Sequence, residues 1–253
     1  MSIETRSTVT PEVELRPNPP GIGIVVPHDF ALDAELWRWT PAGVSLYLTR
    51  TPPAPPDGTR LERLSRYADL DAIKTACRAL ATPKPAVVAY MCTSCTFIHG
   101  LAGDRAVSTA ISQCGNQRAL TTSGAMLAAL QALRVSRVAI ATPYDAVVTK
   151  RLEAFLTEGG ITTTASAYLD VPGEIWRVPS KSTRALVRSL RTDDTEAVFI
   201  SCTNLPTYDV IPHLENELGI PVLSANLVTM WAALQALRHT PNAQPERLFT
   251  VSS

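Results

Sequence analysis

Apolar and polar residues recur along this chain in two rhythms, and the switches between them mark out its elements. The run GIGIVV at 21–26 is apolar throughout and rich in β-branched residues, which predicts a strand buried on both faces of a parallel sheet; Pro27, His28 and Asp29 stop it. A helical turn is expected over 33–39 and a second strand over 43–48. From 50 to 60 the prolines at 52, 53, 55 and 56 forbid regular structure and predict a stiff, polyproline-like connector. Leu64, Leu70, Ile73, Ala76 and Leu80 then fall at helical spacing, predicting one helix over 61–81, and an apolar strand beginning at 86 runs into Cys92.

The same alternation returns downstream. Helices are expected over 122–134, 145–158, 182–190, 208–218 and 226–238, with strands over 137–142, 161–167, 197–201 and 221–223 between them. The letters AALQALR at 128–134 recur at 232–238, at nearly the spacing that separates Cys92 from Cys202. Alternating strands and helices define an α/β fold. The duplication predicts two pseudo-symmetric parallel-sheet halves, with helices on both faces and an active site in the cleft between them. The expected boundaries are a flexible N-terminal arm at 1–20, a first half of 21–118 plus 223–253, and a second half of 119–222.

Composition narrows the partners. Lys and Arg number 23 and Asp and Glu 23, with no block of either sign, so nothing in the charge points to nucleic acid or to an anionic membrane surface. The N-terminus lacks the apolar core of a signal peptide and no run is long enough to cross a bilayer, which makes a cytoplasmic protein the expectation. Five cysteines, an odd number, argue against a disulfide scaffold and for reduced thiols. Cys77 and Cys114 read as packing residues.

Cys92 and Cys202 are different, because each ends an apolar strand and is followed by a hydroxyl residue. In parallel α/β sheets, ligands bind beyond the carboxyl ends of strands, where helix N-termini offer backbone N–H groups that stabilise a thiolate or hold a carboxylate. Thr93, Ser94, Thr203 and Asn204 supply further donors beside the two sulfurs. One thiol on each side of a shared cleft suits stereochemical work at a carbon next to a carboxylate, one sulfur removing a proton or attacking carbon while the other donates from the opposite face. Such a scheme calls for no metal and no cofactor, and its expected partner is a small carboxylate substrate; assembly into a homo-oligomer stays open. Three other readings stand beside it: Cys92 and Cys95 as a redox pair, the same pair as half of a zinc site, or both strand-end cysteines as inert.

At these residues the chain resembles the aspartate/glutamate racemase superfamily, and within it the branch of maleate cis-trans isomerases and arylmalonate decarboxylases. The resemblance rests on GIGIVVP at 21–27 with Glu35 following, Cys92-Thr93-Ser94, RVAIATPY at 137–144, Ser201-Cys202-Thr203, and LGIPVLSAN at 218–226 leading to Trp231. It implies catalytic roles for Cys92 and Cys202, and a carboxylate held by the hydroxyls of Thr93, Ser94 and Tyr144. In the isomerases the first thiolate adds to the maleate double bond and the second cysteine handles the proton; racemases use both sulfurs as acid and base. The decarboxylases have glycine at the first position, which sets this chain apart from them. Maleate-to-fumarate isomerisation is the leading expectation. An amino-acid racemase, a decarboxylase-like enzyme and a carboxylate-binding protein without turnover are the alternatives. Phe30 stands where the isomerases place an asparagine in the loop after the first strand, which points to an apolar substituent on the substrate.

Overall fold

The computed structural model describes residues 19–115, 118–190, 193–242 and 246–250. All but the end of the arm expected at 1–20 therefore lies outside the described residues. The first series of elements is β1 (Gly21–Val26), α1 (Asp33–Trp39), β2 (Ser45–Arg50), α2 (Arg60–Tyr67), α3 (Leu70–Arg78), β3 (Val87–Tyr90), α4 (Thr93–Phe97), α5 (Gly100–Ser112), β4 (Arg118–Thr121) and α6 (Thr122–Ala132). The second series is β5 (Arg137–Thr142), α7 (Ala146–Glu158), β6 (Thr162–Tyr168), a 3-10 turn Ile175–Arg177, α8 (Ser180–Arg188), β7 (Ala197–Ile200), α9 (Ile211–Leu218), β8 (Val222–Ser224), α10 (Ala225–Leu237) and a 3-10 turn Arg247–Thr250.

These strands form two four-stranded parallel sheets, ordered β2-β1-β3-β4 and β6-β5-β7-β8. Ile22 pairs with Leu46 on one side and Val87 on the other, and Val138 likewise with Thr163 and Ala197. The duplicated α/β architecture expected from the sequence is thus present, the two sheets repeating one strand order. That order reverses direction between β1 and β3, and again between β5 and β7. Loops leaving adjacent strands at such a switch point diverge and leave a crevice beyond the strands' carboxyl ends.

Side-chain alternation divides the first sheet between two cores. Ile22, Ile24, Val26, Val87 and Ala89 face the main core, while Val25, Val88 and Tyr90 face a smaller one with Ile73, Cys77, Val107 and Ile111. The main core also takes in β5, β7 and β8, so it runs through both sheets. Helix α10 is buried without interruption from Ala225 to Leu234 and touches α1, α6, β3 and β4 as well as β8. A helix apolar on every side belongs in an interior, and this one joins the halves.

The single helix expected over 61–81 is two helices. Asp69 turns its carboxylate onto the N–H groups of Asp71 and Ala72, which caps α3 and ends α2 before it. Apolar spacing continues through the break and hides it, whereas an aspartate at this position competes for the backbone. The segment between α4 and β4 carries few large apolar side chains, yet folds as α5. Residues 51–59 have no regular element, as their prolines dictate.

Candidate active site

The four loops at the two switch points converge on one cleft. Pro27, Asp29 and Phe30 come from the loop after β1, and Cys92, Thr93 and Ser94 from the end of β3. Tyr144 lies just beyond β5, and Cys202, Thr203 and Asn204 just beyond β7. Leu64 and Tyr67 of α2 and Ile175 close the sides of the cleft, which opens to solvent. Every site residue read from the sequence lines it.

Cys92 is the N-cap of α4 and Ser94 Oγ lies 3.9 Å from its sulfur. The turn is pinned from below by Thr96 Oγ1, 3.0 Å from the carbonyls of both Cys92 and Thr93, and by Ser123 Oγ, 3.2 Å from the Thr93 carbonyl. The Thr93 hydroxyl is buried and has no hydrogen-bond partner among the described residues. A buried hydroxyl left unpaired costs free energy unless a ligand answers it.

The expectation of reduced thiols throughout is not met. Cys92 is joined to Cys95 in a disulfide, their Cα atoms 5.5 Å apart. The spacing of three residues across the start of a helix produces that separation, which lies in the range disulfides require. Cys77, Cys114 and Cys202 are free. Burial pushes the Cys77 thiol up to about 12, in keeping with a packing role.

Cys202 occupies the other wall, with a backbone φ of 86° that side-chain-bearing residues rarely adopt. Burial pushes its thiol up to about 12; the Asn204 and Leu205 N–H groups and the Tyr144 hydroxyl favour the thiolate but do not offset the loss of water. Tyr144 is raised well above the ordinary phenol value, first by burial and then by the neighbouring Cys202, and its hydroxyl also contacts Ser94 and Ser201. Ser94, Tyr144 and Cys202 therefore share one hydrogen-bonded surface.

Several of the expected binding residues serve the loops as well. Asn204 Nδ2 donates to the Asp29 carbonyl at 2.9 Å while its Oδ1 accepts from the Ala31 N–H at 2.9 Å, tying the β7 loop to the β1 loop. Thr203 Oγ1 donates to the Met91 carbonyl at 3.3 Å and ties it to β3. Phe30 is buried and lines the cleft. His28 packs edge-on against Tyr67 with ring centroids 5.3 Å apart.

Sequence reasoning did not single out Leu64, Tyr67 and Ile175. Leu64 and Tyr67 are three apart on α2 and so share a face, but nothing in their spacing says which surface that face meets. Beyond them the cleft widens into an outer vestibule lined by Arg60, Arg63 and Val171, Pro172, Gly173 and Glu174. Arg60 reaches across it to Asp170 at 3.0 Å, the Val171 carbonyl at 3.0 Å and Asp145 at 3.5 Å. Among the described residues, no cluster of three or more His, Cys, Asp or Glu could hold a metal ion, and no helix is long and apolar enough to cross a membrane.

Two parallel sheets of one strand order, with a cysteine delivered to the cleft from each, make this a duplicated α/β protein with its candidate site between the sheets. Within that class the chain belongs to the arylmalonate decarboxylase family, whose model matches residues 58–249. It is 34% identical over 191 residues to arylmalonate decarboxylase of Bordetella bronchiseptica, covering 73% of this chain and 80% of that one. It is also 29% identical over 232 residues to maleate isomerase of Nocardia farcinica, covering 85% and 89%. Among solved structures, a double mutant of arylmalonate decarboxylase in its liganded form superposes with a TM-score of 0.81 at 30% identity, over 92% of this chain and all of that one. A mutant of the Nocardia farcinica isomerase carrying a covalently bound succinylcysteine intermediate shares the fold, with a TM-score of 0.79 at 24% identity over 92% of this chain and 99% of that one.

Proposed function

We propose that this protein is an isomerase of small carboxylic acids that works through Cys92 and Cys202, and that its reaction is of the maleate cis-trans type. The observation that carries the reading is the pair of sulfurs on opposite loops of one cleft, beside the unpartnered hydroxyl of Thr93 and the hydroxyls of Ser94 and Tyr144. In this scheme reduced Cys92, as thiolate, forms a carbon–sulfur bond to one alkene carbon. The electron pair moves toward the adjacent carboxylate, and the Cys202 thiol protonates the second carbon. The former double bond is now single and rotates. Cys202 then takes the proton back, the carbon–sulfur bond breaks, and the trans acid leaves with both sulfurs restored.

The two environments support this division of roles. A thiol pushed up to about 12 by burial stays protonated at neutral pH and can donate, which fits Cys202. Thr93, Ser94 and Tyr144 provide neutral donors for a carboxylate and for the charge that gathers on it as carbon is attacked. The covalent succinylcysteine of the Nocardia farcinica isomerase mutant is the kind of adduct the scheme requires. No step draws on a group from outside the protein, so the reaction is proposed to be cofactor-independent.

A second reading is favoured by the opposite wall. Phe30, Leu64 and Ile175 offer no side-chain donor to a second carboxylate, and with the ring of Tyr67 they fit an acid with an apolar substituent. On such a substrate the same sulfurs would exchange the α-proton, racemising the carbon, or protonate it after loss of CO2. Incubating the reduced protein in D2O with maleate, aspartate, glutamate and phenylmalonate, and following each by proton NMR, separates the readings. Fumarate formation is the expected outcome. Exchange of an α-proton or loss of CO2 instead would replace it with the second reading, and ligand-induced stabilisation without turnover would leave a carboxylate-binding protein.

A further inference from the structure

Behind the Cys202 loop, and outside the residues that line the cleft, lies a buried carboxylate. Glu35 stands on α1, and its two oxygens accept from the Thr207 N–H at 3.1 Å, Thr207 Oγ1 at 2.9 Å and Asn226 Nδ2 at 3.2 Å. The Tyr208 N–H also donates to it. All of these partners are donors, so the group is used as an acceptor on both oxygens. Asn226 Nδ2 spends its other hydrogen on the Thr203 carbonyl at 3.0 Å, and Thr203 directly follows Cys202. Asn226 Oδ1 is buried without a partner among the described residues, so the amide is oriented from its nitrogen side.

Cys202 needs such an anchor. With φ at 86°, its backbone is in a region that L side chains avoid, and surroundings must hold it there. The Thr203 carbonyl is the next acceptor along the chain, and the Asn226 amide, which is not among the cleft-lining residues, holds it. Burial favours the neutral form of Glu35, whereas the donors from Asn226 and Thr207 favour the ionised one. The geometry, with donors on both oxygens, matches the ionised carboxylate.

We infer that Glu35 is a positioning residue for Cys202: it orients the Asn226 amide, the amide fixes the Thr203 carbonyl, and the fixed carbonyl keeps the Cys202 backbone turned so that its sulfur faces the cleft. This rests on the role proposed for Cys202 as proton donor. Through Glu35 a helix of the first sheet's half controls the thiol supplied by the second. Buried carboxylates that touch neither substrate nor sulfur can thus govern turnover by holding the geometry of a loop.

Glu35→Gln keeps the size of the side chain and removes one acceptor oxygen. It should lower kcat about 10- to 100-fold while KM stays within about twofold. Iodoacetamide labelling of Cys202, read by peptide mass spectrometry, should change by about fivefold or more with Cys77 labelling as the unchanged reference. Asn226→Ser leaves the bonds between Thr207 and Glu35 in place and removes the donor to Thr203, so it should reproduce both effects, and it carries the test if Glu35→Gln does not fold. In the double variant E35Q/N226D the side chains at 35 and 226 can bond again, but aspartate offers no N–H to the Thr203 carbonyl. Its melting temperature should recover while kcat does not; recovery of both would reduce Glu35 to a structural role. Unchanged kcat and unchanged Cys202 labelling in the single variants would overturn the inference. If the wild-type protein turns over none of the four acids, the labelling still reads the position of Cys202 and only the proposed reaction falls.

Discussion

Cys92 and Cys202 stand in unlike environments, and the tasks proposed for them differ accordingly. One begins a short helix beside an open hydroxyl, and the other is held in a buried, left-handed turn where its proton is retained. Substituting either should remove turnover, and Cys92→Ser and Cys202→Ser are each expected to lower kcat by at least about a hundredfold. Cys95→Ser should keep most of the activity, because Cys95 is needed by neither step. It should also free Cys92 from its disulfide, so that this variant, unlike the wild type, works without a reductant. Activity assays with and without dithiothreitol, paired with intact-protein mass spectrometry, check both statements; loss of activity in Cys95→Ser under reducing conditions would assign Cys95 a part in the chemistry.

Among the elements, α2 is the one that turns a crevice into a cleft. It brings Leu64 and Tyr67 over the sulfurs, and its first residue, Arg60, reaches the other half of the molecule at Asp145, Asp170 and the Val171 carbonyl. Because that guanidinium is largely buried, its removal should loosen the closed arrangement rather than the chemistry. Arg60→Ala is expected to raise KM about 3- to 10-fold with kcat within about twofold, measured by steady-state kinetics on whichever acid is turned over. A large fall in kcat at unchanged KM would show instead that Arg60 acts on the reacting atoms. The strands behind the site were legible in the chain because continuous apolar runs such as those at 21–26 and 137–142 have few alternatives to a buried parallel strand. The two cysteines were legible because each closes such a run. The break at Asp69 was not, since apolar spacing crosses it, and the placing of α2 over the site was not, since it depends on a contact with residues about a hundred positions away in sequence. The disulfide was open in the chain only as the alternative reading of Cys92 and Cys95 as a redox pair, because the count of cysteines suggests a compartment and not a pairing.

At the scale of the whole molecule, duplication has not produced two independent bodies. The main core joins residues of β1 and β3 to residues of β5, β7 and β8, and α10 lies across both. The chain's last described stretch adds to the join. Trp39 Nε1 donates to Glu246 Oε1 at 3.0 Å, the Arg247 N–H donates to Glu215 Oε2 at 3.1 Å, and Leu248 is fully buried. Calorimetry should therefore record one cooperative transition, and Leu248→Ala should lower the stability of the whole by about 2 to 5 kcal/mol. Two resolved transitions, with only one of them moved by the substitution, would show that the halves unfold separately.

The left-handed backbone at Cys202 also bears on how such a protein changes over generations. Judged by the backbone alone, glycine suits this position better than cysteine, and the strain retained is on the order of 1 kcal/mol. Cys202→Gly should therefore melt higher than Cys202→Ala, a comparison that separates backbone strain from loss of the sulfur. So long as the thiol is needed, selection holds this residue against its own conformational preference. A lineage released from that need would gain stability by drifting to glycine there, which makes the identity of this one residue in any descendant a record of whether the chemistry was kept.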